Sequence, residues 1–197
     1  MAFTLDEVEK VVRGRGIECH RLGRGPQLAT LIPTKAYKDA KGEHRIAVFI
    51  WMDETNSCLV MNAPWAFDSR DSRHKEALLA CLLGASCRSA FVRPQVDPAD
   101  GEVRLRIDSA LGKEGLPPET VVRMLEAITA FADAWYPQIK SAMEKGSYDL
   151  EKSPSSSPVK SFQILTRRVG SINRLRALLR WRQQRNPPPA GEDPSRN

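Results

Sequence analysis

The side chains of this chain that could do chemistry are three histidines, four cysteines, two glycine-rich fragments, a few paired aspartates and two arginines set two apart. A bound zinc or a histidine base needs partners at fixed spacing, such as an i,i+4 pair, HExxH or a Cys/His set. His20, His44 and His74 have none of these, although His20 and His44 could still meet across strands. Cys19, Cys58, Cys81 and Cys87 form no CxxC pair, and Cys81 falls in an apolar helical run where a free thiol acts as a small hydrophobe. There is no GxSxG, and no cysteine has flanking residues that would activate it. "RGRG" (Gly14, Gly16) and "GRGP" (Gly23, Gly25) lack the strand, loop and helix of a phosphate cradle, so they read as turns. Asp68/Asp71 and Asp97/Asp100 occupy cap and turn positions, where aspartate has a structural reason to be. No catalytic residue, metal or cofactor is expected.

Arg104 and Arg106 remain, in "DGEVRLRIDSAL". Val103, Leu105 and Ile107 alternate with Glu102, Arg104, Arg106 and Asp108, so a strand here has one apolar and one charged face. Arg93 on a neighbouring strand could join the two arginines. An RNA-binding sheet interleaves aromatics with its basic residues to stack on bases. This strand has none, and Glu102 and Asp108 partly neutralise it. The reading is a solvated face or one that meets a partner protein.

The elements that must position these residues follow from periodicity. "FTLDEVEKVV" starts a helix: Thr4 with Glu7 is a capping box, Phe3 can staple onto Val8, and Leu5, Val8, Val11 and Val12 form the apolar face. "IECHRL", "QLATLIP", "EHRIAVFIWM" and "SCLVMNAPW" read as short strands, the last two joined by the turn "DETN". "DSRDSRHKEALLACLLGAS" reads as a helix with Asp and Ser caps that weakens at Gly84. "CRSAFVRPQ" and "EVRLRIDSAL" form a hairpin whose Asp-Gly pair supplies positive φ. After "GLPPE", Val121, Leu125, Ile128, Ala132, Trp135, Ile139 and Met143 make one long apolar stripe, with a kink expected at Pro137. The expected fold is α+β, an antiparallel sheet of about five strands with helices packed on it, in the order α-β-β-β-α-β-β-α.

Charge divides the chain. Residues 153–197 hold nine basic side chains and two acids, a charge of +7 that leaves residues 1–152 at −1 within the net +6. The domain is expected over 1–146, a Ser/Pro-rich linker over 147–158, a basic amphipathic helix over 159–186 and a disordered end over 187–197. Phe162, Leu165, Val169, Ile172, Leu175 and Leu179 fall roughly on one face of that helix. Arg167, Arg174, Arg180 and Arg182 fall mostly elsewhere on it, Arg168 and Arg176 intrude on the apolar face, and Trp181 belongs to the same helix. Such a helix suits an acidic protein groove, an anionic membrane surface or a nucleic-acid backbone. Arg104 and Arg106 on the sheet and these tail residues are the expected partner-contacting set. The longest strongly apolar run, Ile46 to Met52, is too short to span a bilayer, and "MAFTLDEVEK" has no secretory pattern. A reduced, cytoplasmic protein is expected.

The opening helix, the strand "CLVMNAPWAF" with Asn62 ahead of a second helix, the charged-face strand "GEVRLRIDSAL" and "GLPPETVVRMLEAITAFADAWYPQIKSAM" together resemble the YbjN family. The resemblance covers about residues 3–145; the stretch from Gly23 to Glu43 and the basic tail lie outside its pattern. It implies a bacterial, non-enzymatic domain with the fold of type III secretion chaperones, one that forms a homodimer and binds a client protein. The short helix "KEALLACLLGA", with leucines on more than one face, is the expected dimer contact.

Overall fold

The computed structural model describes residues 3–151 apart from 24, 25, 54, 56 and 71. In chain order the elements are α1 (Leu5–Gly14), β1 (Cys19–Arg21), β2 (Gln27–Pro33), β3 (Arg45–Met52) and β4 (Cys58–Asp68). They continue with α2 (Lys75–Arg88), β5 (Arg93–Val96), β6 (Glu102–Ala110) and α3 (Pro118–Lys145). The fold is α+β, with one antiparallel sheet in the order β1-β2-β3-β4-β6-β5. Four strands rather than three precede α2, because the short segment "CHR" pairs along β2.

Local chemistry explains most element ends. Thr4 and Glu7 form the capping box in both directions, and Leu5, Val8 and Val12 are buried beneath it. Gly101 has φ +72° and supplies the left-handed residue of the β5–β6 turn. Asp53 accepts from the backbone N–H groups of Ser57 and Cys58 at 2.7 and 2.9 Å, closing the β3–β4 turn. Those bonds hold its carboxyl below the usual carboxylate range. The start of α2 differs from expectation: its N-cap is His74, with no side-chain cap bond. Ser72 instead ties the approach to α3, accepting from His74 N–H and donating to the Met143 carbonyl. Nor does α2 break where it was expected to weaken, at Gly84. It continues to Arg88, and the missing side chain at Gly84 is where Leu150 sits: a Cβ there would lie 2.8 Å from Leu150 Cδ2. The packed domain thus runs past Gly146, with Tyr148 and Leu150 against the core.

The inner face of the sheet carries Leu28, Ile50, Met61 and Ile107 in one row across β2, β3, β4 and β6. These pack with the buried faces of all three helices into the main core. The α3 stripe is buried from Val121 through Leu125, Ile128, Ala132, Trp135 and Ile139, and the helix runs through Pro137. Met143, at its end, is only partly buried. From the middle of α3, Asp133 accepts from the backbone N–H groups of Lys35, Ala36 and Tyr37 at 2.8 to 3.0 Å. That fixes the loop after β2 and lets the Tyr37 hydroxyl donate to the Ala66 carbonyl at 2.8 Å.

Candidate interaction surfaces

The face of the sheet turned away from the helices is built by strand register. His20, Ala29, Phe49, Asn62, Arg106 and Arg93 form a row across all six strands, each paired with the next. The adjacent row is Gln27, Trp51, Val60 and Asp108. At the β1–β4 end this outer face is apolar. Ala29, Leu31 and Phe49 form a second core cluster with Leu22, Ala47 and Trp51 packed on it, and no residue of α1, α2 or α3 takes part. Asn62 lies in the middle, 7% exposed, and its Oδ1 has no hydrogen-bond partner among the described residues.

At the β6–β5 end the face is charged, as the alternation on β6 requires. Arg104 pairs with Asp97 and Glu102, both at 2.9 Å. Arg106 pairs with Asp108 at 2.8 Å, and its guanidinium lies 5.8 Å from the Trp51 ring centre. The acids therefore neutralise the two arginines as their spacing implied. The aromatic that β6 itself lacks arrives from β3, two strands away, through the Trp51–Val60–Asp108 register. A signal for the apolar half was present in "RIAVFIWM": an unbroken apolar run, unlike an alternating one, belongs to a strand covered on both faces.

Between Ala63 and Phe67 the β4–β6 register shifts, and Trp65 sits in this bulge at φ +51°. A bulky side chain in the left-handed region is a strained conformation that its surroundings must enforce. Here Trp65 N–H donates to Glu102 Oε1 at 3.0 Å, and the Arg70 guanidinium lies 5.3 Å from its ring centre. Trp65 thereby becomes one wall of a cavity of about 130 Å³, with Leu31, Ala47, Tyr37 and Lys41 among its other walls. An apolar cavity of about 150 Å³ takes a benzene ring, so this one is the size of a single apolar side chain.

Asp97, Asp100 and Glu102 bring carboxylate oxygens within 4.8 Å of one another, the only such group of metal-ligating types among the described residues. Their oxygens are already engaged by Arg104, by Trp65 N–H and by the N–H groups of Ala99 and Glu102. The histidines stay apart: His20 bonds Glu18 at 2.8 Å, His44 precedes β3, and His74 caps α2. All four cysteines are free thiols. No helix among the described residues is long and apolar enough to cross a membrane.

A second surface lies on α2. Leu79 is 51% and Leu83 68% exposed, one turn apart, and Phe91 just beyond the helix is 67% exposed; these are the exposed large hydrophobics among the described residues. Phe162, Leu165, Arg167, Arg168, Val169, Ile172, Arg174, Leu179, Arg180, Trp181 and Arg182, and the helix expected to hold them, lie outside the described residues.

No protein-family model matches the sequence, and no curated protein matches it. Among solved structures, YbjN from E. coli superposes with a TM-score of 0.51 at 12% identity, covering 70% of this chain and 94% of that one. The chain has the YbjN fold. The HopA1–SchA chaperone–effector complex also matches, with a TM-score of 0.46 at 13% identity over 66% of this chain and 90% of that one. Within the YbjN fold of this chain, the bulged strand with Trp65 is the "CLVMNAPWAF" stretch that carried the resemblance in sequence.

Proposed function

We propose that this chain is a non-enzymatic protein-binding module, chaperone-like or regulatory, that dimerises through α2 and engages a client protein on the outer face of its sheet. One observation carries the reading: the sheet face opposite the helices is apolar where an ordinary α+β domain presents polar groups to water. Trp51, Trp65 and a side-chain-sized cavity give that face the aromatic anchors and pocket of a protein interface. Arg106, held by Asp108 beneath the Trp51 ring, supplies an oriented donor at its margin. The basic segment 159–186 serves as a second docking element.

The test is affinity capture with the full chain and with a Trp51→Ala, Arg106→Glu double variant. A protein retained in stoichiometric amount by the natural sequence and lost with the double variant supports the reading. Nuclease-sensitive material that leaves steeply as salt rises, and that both forms retain equally, overturns it. That result favours a nucleic-acid-associated regulator acting through the eight cations of residues 160–185.

A further inference from the structure

One patch of the outer sheet face, around Phe49, is buried as deeply as the inner face. Leu31 keeps 4% of its surface, Phe49 2% and Val60 1%. Flanking side chains shield an open sheet only from the sides, and close-packed burial of a phenyl ring needs atoms above it as well. The buried faces of α1, α2 and α3 are all engaged in the main core on the opposite side.

We propose that residues 159–186 of the same chain dock as a helix on this face, with Phe162, Leu165, Val169, Ile172 and Leu179 against Phe49, Val60 and Leu31. Dimensions agree. Phe162 to Leu179 as a helix spans about 26 Å, and the eight residues of β3 span about 27 Å. The tether reaches. Leu150 is seated at Gly84, its carbonyl accepting from Arg88 Nη1, at the end of α2 that leads into edge strand β5. Residues 152–158 reach about 24 Å when extended, enough to pass the sheet edge and cover the two layer spacings of about 10 Å each between the α2 layer and the opposite face.

Polar chemistry agrees too. The buried Asn62 Oδ1 is an acceptor awaiting a donor, and residues 160–185 carry eight cations and no acid, so their charged groups donate only. The cations already on the face do not repel the segment strongly, because Arg104 and Arg106 are each paired with acids. This deepens the reading of the sheet as a partner surface: a client must displace the chain's own segment to reach it.

The test uses the purified full chain with a photo-crosslinking benzoylphenylalanine at position 51. Irradiation at micromolar concentration is expected to join position 51 to a peptide from residues 159–186 of the same chain. The monomer band should persist on a gel, and the link should be lost when Ile172→Ser and Leu179→Ser are introduced. Links between two chains would assign the face to a second copy. Links that avoid 159–186, or that survive the double change, overturn docking. A second measurement needs no unnatural residue. In a Trp181→Phe background, the same double change should make Trp51 and Trp65 more accessible to acrylamide; unchanged quenching overturns the proposal. Neither readout involves a client, so failure here is distinct from failure of client capture.

Discussion

Asp133 shows how one carboxylate can organise a site it does not line. Its two oxygens take three consecutive backbone N–H groups from the Lys35–Tyr37 loop, and that loop places Tyr37 in the cavity wall. Asp133→Ala leaves three donors without their acceptor. It is expected to cost about 2 kcal/mol, read as a fall of about 4–8 °C in melting temperature for a domain of this size. The cysteines give a second residue-level prediction. Burial pushes the Cys19 and Cys81 thiols up from 9.0 to about 11, while Cys87 is exposed and Cys58 half-buried. With a disulfide reagent at pH 8, Cys87 should react first and Cys58 more slowly, with Cys19 and Cys81 reacting only on unfolding. Simultaneous reaction of all four would contradict the packing. The same shifts make the folded state hold protons that the unfolded chain releases, so stability should fall as pH rises from about 9 to about 11. Chemical denaturation at pH 8 and pH 10.5 measures it.

Among the elements, α2 carries the clearest division of labour. Leu78, Cys81, Leu82 and Ala85 are buried against the domain, whereas Leu79 and Leu83 point outward. If that outer pair closes a dimer, light scattering of the full chain gives twice the monomer mass, and Leu79→Lys with Leu83→Lys gives a monomer with an unchanged circular dichroism spectrum. A monomer before any change refutes the interface. What the sequence made legible follows the same division. Caps, the Asp-Gly turn, the α3 stripe and the alternation on β6 are local patterns, and local patterns survive in a linear reading. The unbroken apolar run of β3 hints at a second covered face, but the composition of that face depends on register: Phe49 belongs beside Asn62 and Arg106 only once three strands are paired. Trp65 has no local signature, since its positive φ comes from a bulge that no residue type announces. The Asp133 clamp joins residues almost a hundred positions apart, and nothing local marks it.

For the whole molecule, the uneven charge predicts a response to salt. With residues 1–152 at −1 and the tail at +7, contacts of the tail with an anionic polymer should weaken steeply as salt shortens the screening length from about 10 Å at 0.1 M to about 3 Å at 1 M. Contacts made by an apolar helix face against a sheet should persist or tighten. Acrylamide quenching of Trp51 and Trp65 in the full chain carrying Trp181→Phe, followed from low to molar sodium chloride, separates the two. A constant or falling accessibility is expected, and a marked rise would mean that charge rather than burial holds the tail.

The seat of Leu150 at Gly84 also sets a leash. A segment tied down that close to its landing site experiences a local concentration in the millimolar range. A free ligand present at micromolar level therefore competes at a disadvantage of about a thousandfold, unless it binds correspondingly more tightly. The glycine governs that handicap. A larger residue at position 84 unseats Leu150 and lets the leash pay out back toward Gly146, and the local concentration falls with its length. One missing side chain on α2, remote from the outer face, thus tunes how readily that face is surrendered to another molecule.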